Sequence, residues 1–406
     1  MFIRNFSVKK FLIVTSIIAN NKFSPNHLAA INLMSALDGS SVNAPKNDRV
    51  IPEDSFLVRV QKFVILNFLP LGFLFATVFA FSYPSLGRRA TAIKLNQVGL
   101  IQALNSFLVF LISGVTLNIS EAGRSLRRWH VLLIRNCMIL FLTPILALVA
   151  IRLPLYPHEF AVGLAIFCTV PTTLGVGVAL TTSCEGDQSV ALLLTIMSNC
   201  LGIMTVPLAI QYFISTSSSI SFNYGDVFTK LCITVLFPSL LGIALRARFK
   251  SVASFAKVHK VALSIFSTSN LVCIIWQTLS SASNILLHQP IQRIVIVAIA
   301  SSLQHVFFLG VMYIITLRSC QLKATERVAL IIMCAQKSAP VAVTVISYIT
   351  SSTAQQGLLS VPALLGQLAQ IFIGSFLVRY LKKLVLIERD NDAARTARAD
   401  ITPSTV

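Results

Sequence analysis

Charge is scarce in this chain, and negative charge is scarcest. Of 406 residues only 12% are charged, with 14 Asp and Glu against 33 Lys and Arg. A soluble domain carries about 25% charged residues, so there is too little polar sequence here to cover a core of this size in water. Between 63 and 384 the acids are Glu121, Glu159, Glu185, Asp187, Asp226 and Glu326. Each falls in a loop or at the start of an apolar run, where it complements a helix dipole. None lies in mid-run, which excludes a carboxylate proton relay and an intramembrane aspartyl pair. There is no HExxH helix. The eight cysteines, among them Cys137, Cys168, Cys200, Cys232, Cys273 and Cys334 inside apolar runs, show neither metal-ligand spacing nor a secreted disulfide framework. These absences argue against an enzyme.

What the chain has is apolar runs of about 20 residues, the length that fits the hydrocarbon thickness of a bilayer. Ten are expected, at 63–84, 98–117, 131–151, 159–182, 188–213, 226–247, 258–282, 291–317, 326–350 and 357–386. Helix is the only spanning structure such runs can adopt without leaving backbone groups unpaired in lipid. The fold class is therefore an all-α polytopic membrane protein, with the bilayer as its first partner.

The net charge of +19 resides in loops and tails. No basic–aromatic domain is present to hold a nucleic acid strand, so the cations read as topology signals. Arg124, Arg127, Arg128, Arg246, Arg248, Lys250, Lys257, Lys260, Arg318, Lys323 and Arg327 share one side with Arg379, Lys382 and Lys383. That larger set puts both termini on the cytosol-like side.

Residues 1–62 differ from the rest. They are basic and Ser- and Asn-rich, with no acid before Asp38, the character of a transit peptide. Phe11 to Ala19 reads instead as a signal-peptide core. A bipartite leader would contain both, and a disordered tail is the plain alternative. The expected organisation is a leader over 1–62, a transmembrane domain over 63–386 (first repeat 63–213, second repeat 226–386) and a polar tail over 387–406.

Two of the runs are interrupted at matching places in the two halves. Glu159-FAVGLAIFCTVPTTLGVGVAL-Thr181 breaks at Pro171, and Glu326-RVALIIMCAQKSAPVAVTVISYI-Thr350 breaks at Pro340. Proline removes a backbone donor and frees a carbonyl. Paired breaks in corresponding segments are the sequence pointer to a secondary transporter's binding site. Half-helices meeting in mid-membrane expose carbonyl ends for cations and amide ends for anions. The first break carries Thr169, Thr172 and Thr173, the second Gln336, Lys337 and Ser338. A lysine at that depth is costly and asks for a function. Thr195 and Asn199 are four apart and share a helix face, with Ser198 beside them. Helix–helix hydrogen bonding and ion coordination both suit that face. Gln304, His305, Gln367 and Gln370 carry the same two readings.

Several stretches resemble the bile acid:sodium symporter superfamily: Phe160-AVGLAIFCTVPTTL, Gly177-VALT, Thr195-IMSNCLGIMTVP, Gln336-KSAPVAV and Phe110-LISGVTL. The similarity is greatest to its plastid sodium/metabolite cotransporter branch, with the seventh-member branch, linked to calcium homeostasis, next. It covers about 63–386. The resemblance implies ten helices in two inverted five-helix repeats, panel and core domains, and two unwound helices crossing at the ion sites. It places Thr195, Ser198 and Asn199 on the helix of a first sodium and Gln336 in the motif of a second. The chain departs from the family where Gly175 and Val176 replace polar residues and an apolar residue near Ile332 replaces a glutamate. Lys337 stands within the second motif, where its ammonium can take the electrostatic place of a sodium ion.

The expected function is alternating-access transport of a small organic anion, with substrate and ion at Thr172, Thr173, Thr195, Ser198, Asn199, Gln336, Lys337 and Ser338. Na⁺ enters as coupling ion, at Thr195, Asn199 and Gln336. The rival is a non-transporting regulator of ion homeostasis on the same fold. The resemblance points to the chloroplast envelope, with ER/Golgi or plasma membrane as alternatives.

Overall fold

A computed structural model describes residues 68–95, 98–117, 129–173, 175–214, 223–317, 322–350 and 352–401, with single positions at 60 and 64. The expected leader, apart from Val60, lies outside the described residues, as do Arg124, Arg127, Arg128 and Arg318 of the topology argument. The chain divides between Gln61 and Lys62 into two compact units.

The second unit is built of helices. They are α1 (Phe68–Ser82), α2 (Pro84–Ala92), α3 (Leu100–Thr116), α4 (Trp129–Cys137), α5 (Ala147–Ala150), α6 (Glu159–Thr169), α7 (Val176–Ser183), α8 (Gln188–Ile214), α9 (Tyr224–Leu231), α10 (Phe237–Arg248), α11 (Lys250–Val258), α12 (Lys260–Leu287), α13 (Ile291–Leu317), α14 (Ala324–Ala335), α15 (Ala339–Ile349) and α16 (Thr353–Ile401). A two-residue ladder, Lys94–Leu95 against Val98–Gly99, is the only extended pairing among the described residues. Short π-helical turns, Met138–Leu142 and Cys232–Leu236, join α4 toward α5 and α9 to α10.

Each expected span is found as a helix or a broken helix. Among the described residues seven are long and apolar enough to cross a bilayer by length and composition, or eight if α1 and α2, bent by 94°, count as one. The two that fall short are 98–117, where α3 is 17 residues, and 159–182, which is broken into α6 and α7. The last span differs most: α16 is one helix of 49 residues. It runs through the expected boundary at 386, because Ala, Arg and Glu in the polar segment are good helix formers.

Packing follows small residues. A Cβ on Gly114 of α3 would lie 2.2 Å from Ser239 O of α10, and one on Gly242 of α10 would lie 2.3 Å from Leu111 O of α3. Only glycine lets these backbones touch, as at other close helix crossings in lipid. The pairings α3 with α10 and α1 with α12 are both extensive. The first joins the expected spans 98–117 and 226–247, the second the expected spans 63–84 and 258–282. A second group, α6, α8 and α13 to α16, holds the fully buried Phe160, Phe167, Leu164 and Ile166. On the side carrying the Glu185 loop, buried Arg135 pairs with Glu326 at 2.9 Å, Lys382 pairs with Glu185 at 2.9 Å, and Glu388 accepts from Ala324 N at 2.9 Å.

Candidate functional site

The first break forms because Pro171 cannot donate and forces the residue before it out of helical geometry. Val170 is accordingly extended, at φ −70° and ψ 155°, and α7 restarts after Gly175. At the second break Gln336 is extended, at φ −76° and ψ 135°, and Ser338 opens α15, with Pro340 in its first turn. Proline there is well placed, since a first-turn N–H has no helical partner.

The two breaks meet. Ser338 N donates to Pro171 O at 3.0 Å. Lys337, fully buried, reaches across so that Nζ donates to Val170 O at 2.8 Å and to Ile139 O at 3.0 Å, and it lies 5.8 Å from the centre of the Phe308 ring. Ile139 O is available because it belongs to the widened turn of Met138–Leu142, and Pro144, five residues on, has no N–H for it. It also accepts from Thr143 Oγ1 at 2.6 Å. The ammonium is thus cradled by main-chain carbonyls and one aromatic face, with no carboxylate paired to it among the described residues.

The remaining open backbone is covered by the glutamines and the histidine. Gln370 Oε1 accepts from Lys337 N at 3.1 Å, Gln367 Oε1 accepts from Ala339 N at 3.2 Å, and His305 Nδ1 donates to Ala335 O at 3.1 Å. Gln336 Nε2 donates to Gln370 O at 3.4 Å. Their second polar atoms are left over. Thr172 Oγ1, Gln304 Oε1, His305 Nε2, Gln336 Oε1 and Gln367 Nε2 are buried without a partner. Unpaired buried polar atoms are rare in folded proteins; those of Thr172, His305, Gln336 and Gln367 belong to residues at or bonded to the two breaks, and others lie elsewhere among the described residues.

Of the α8 residues, Asn199 touches the first break: Nδ2 donates to Thr172 O at 3.2 Å and to Thr195 O at 2.8 Å. Thr195 and Ser198 donate back into their own helix, to Ala191 O at 2.8 Å and Thr195 O at 3.1 Å, and do not reach either break. Thr173 is buried beside Thr172. Nothing lies within 4 Å of a Cβ built on Gly175.

Asn199 also faces outward. It lines a narrow groove, with room of about 30 Å³, between α8 and the α3–α10 pair, with Ser113, Gly114, Cys200, Val235 and Ser239. A second, smaller space of about 10 Å³ borders Asn199, Pro171, Val341 and Val345. Ser113 and Ser239 are functional candidates that sequence reasoning passed over; the Ser-Gly pair at 113–114 was the available signal.

Residues 67–383 match the family model of the SBF-like CPA transporter family, both breaks included. The chain belongs to that family. Among SBF-like relatives, it is 32% identical over 326 residues to the "Probable sodium/metabolite cotransporter BASS4, chloroplastic" of Oryza sativa subsp. indica, covering 78% of this chain and 76% of that one. The Arabidopsis thaliana protein of the same description is 30% identical over 323 residues, covering 77% and 72%. The "Sodium/bile acid cotransporter 7-B" of Xenopus laevis is 26% identical over 326 residues, covering 79% and 92%. An SBF-like chain is a transporter by family and not an enzyme.

Proposed function

We propose that this protein is a secondary carrier of a small organic anion, working by alternating access, with the Lys337 ammonium as a fixed cation at the crossing of two broken helices. The observation that carries the proposal is the bridge from Lys337 Nζ to Val170 O. Carbonyl ends of half-helices attract cations, and here a side chain of the protein fills that role. Among the described residues the charge has no carboxylate partner, so an anionic substrate complements it. Asn199, Thr172, Gln336 and Ser338 supply polar contacts at the breaks, and the groove beside Asn199 is the entry path. Thr173, Thr195 and Ser198 support that wall from behind.

The relatives are named as sodium cotransporters, which makes sodium the coupling ion of this reading. With Gly175 and Val176 after the first break and Ile332 buried in α14, side-chain ligands for it are few. At most one sodium is carried per cycle, held near Asn199 and Gln336. The chloroplast envelope is proposed as the membrane, on the relatives' names and the acid-poor, Ser-rich start of the chain. Ten crossings in inverted halves are proposed on the exchanged pairings of α3 with α10 and α1 with α12.

The test is uptake of radiolabelled organic anions by purified protein in liposomes, with and without sodium. Saturable uptake that collapses in Lys337→Met supports the carrier. An inserted, folded protein that moves none of a broad carboxylate panel favours the regulator.

A further inference from the structure

The loop between the spans Tyr224–Arg248 and Lys260–Leu287 is not a simple turn. It holds α11, Lys250–Val258, nine residues set off by extended Phe249 on one side and by His259 on the other. Both flanking spans end there, so the helix lies at one membrane surface. At 100° per residue its side chains fall into three sectors. Val252, Ala253 and Ala256 form the inward sector, and Ala256 is buried. Phe255 and Val258, with the small Ser251 between them, form a second sector; both apolar side chains are more than half exposed, and Phe249 just before the helix is half exposed. Lys250, Lys257 and Ser254 form the third, also exposed. The apolar and cationic sectors adjoin on the outer surface.

Charge around the helix has one sign. Between Asp226 and Glu326 the sequence has no acid. Arg246 is committed to Val115 O at 2.8 Å, and among the described residues no carboxylate pairs with Arg248, Lys250, Lys257 or Lys260. A short helix lying in the interface plane, with aromatic and aliphatic groups beside lysines, suits acyl chains under anionic headgroups. Mere topology signalling needs the cations but not the exposed Phe249, Phe255 and Val258.

We infer that α11 with Arg248 and Lys260 is a binding surface for anionic phospholipid. The helix packs on α3, α10 and α12. Through Arg246 and Val115 it adjoins Gly114 and Leu117 of the groove wall, so a bound lipid would brace that wall. The inference stands on α11 itself and is independent of the transport reading.

Native mass spectrometry of the full chain, extracted from vesicles of mixed phosphatidylglycerol and phosphatidylcholine, measures which lipid is retained. Enrichment of phosphatidylglycerol is expected, together with a rise in melting temperature when it is added back. Each lysine made neutral, in Lys250→Gln, Lys257→Gln and Lys260→Gln, should weaken apparent affinity about fivefold. The triple Lys→Arg variant should keep it. Should the Gln variants fold poorly, wild-type protein in raised salt gives the same test, because surface attraction is screened. Equal retention of the two lipids, or a preference indifferent to salt, overturns the inference. So does full competition by free glycerol phosphate, which would make the surface a site for a soluble anion.

Discussion

Replacing Lys337 by Met separates fold from function. The stem is nearly preserved, so packing against Phe308 changes little. The variant loses the bonds from Nζ to Val170 O and Ile139 O. Ile139 O keeps Thr143 Oγ1, so the main loss is at Val170 O, about 1–3 kcal/mol for a buried acceptor left open. Against this, a buried ammonium no longer has to be desolvated, a relief of several kcal/mol. The two oppose, and the net change in stability should fall within about 2 kcal/mol of either sign. Function has no such offset. A unit charge acting on a substrate anion about 8 Å away at an effective dielectric of about 20 contributes about 2 kcal/mol, or about thirtyfold in affinity. Lys337→Met should therefore insert, melt within a few degrees of wild type and take up its anion at least tenfold more slowly below saturation. Uptake in liposomes at wild-type rates by the inserted variant would refute the assignment of Lys337 as the substrate's counter-charge.

Asn199→Ala removes the α8 side chain that donates to Thr172 O at the first break, so initial uptake should fall about tenfold while melting moves little. In a Cys200→Ser background a cysteine at 199 should react with thiol reagents and be protected by substrate; at 195, with no exposure, it should stay unlabelled. If coupling uses a single sodium, initial uptake against sodium concentration should give a Hill coefficient of about 1, and a value near 2 would show two surviving sites. Gly242→Ala should lower the melting temperature, because its Cβ would meet Leu111 O at 2.3 Å and overpacking costs about 1–3 kcal/mol. The Lys382 ammonium beside Glu185 holds its carboxyl below the usual carboxylate range, by hydrogen bond first and by charge second. A lowered pKa contributes stability above the unfolded value of about 4.5 and loses it as pH falls further. Glu185→Gln should flatten that acid limb in a melting curve against pH; the effect is small for an exposed pair.

Both breaks were legible in the sequence, because proline and small polar residues inside apolar runs have one mechanical meaning. So was Lys337, since no bland reading of a buried lysine exists. The partners of Lys337 were not legible. Val170 O and Ile139 O are main-chain atoms, and a carbonyl's availability depends on local winding rather than on the residue that carries it. The widened turn at Met138–Leu142 has no side-chain signature beyond Pro144. The α8 face was read correctly as polar, but spacing alone could not show that Thr195 and Ser198 turn back on their own helix while Asn199 reaches Thr172. Gln304, His305, Gln367 and Gln370 had two readings in sequence. In the structure all but Gln304 bond the second break, and Gln304, His305 and Gln367 each leave an atom unpaired.

The bond from Ser338 N to Pro171 O has a genetic consequence. It belongs to the main chain on both sides, so the side chain at 338 does not make it. In a saturation library position 338 should accept several small residues yet reject proline, the one replacement that deletes the donor.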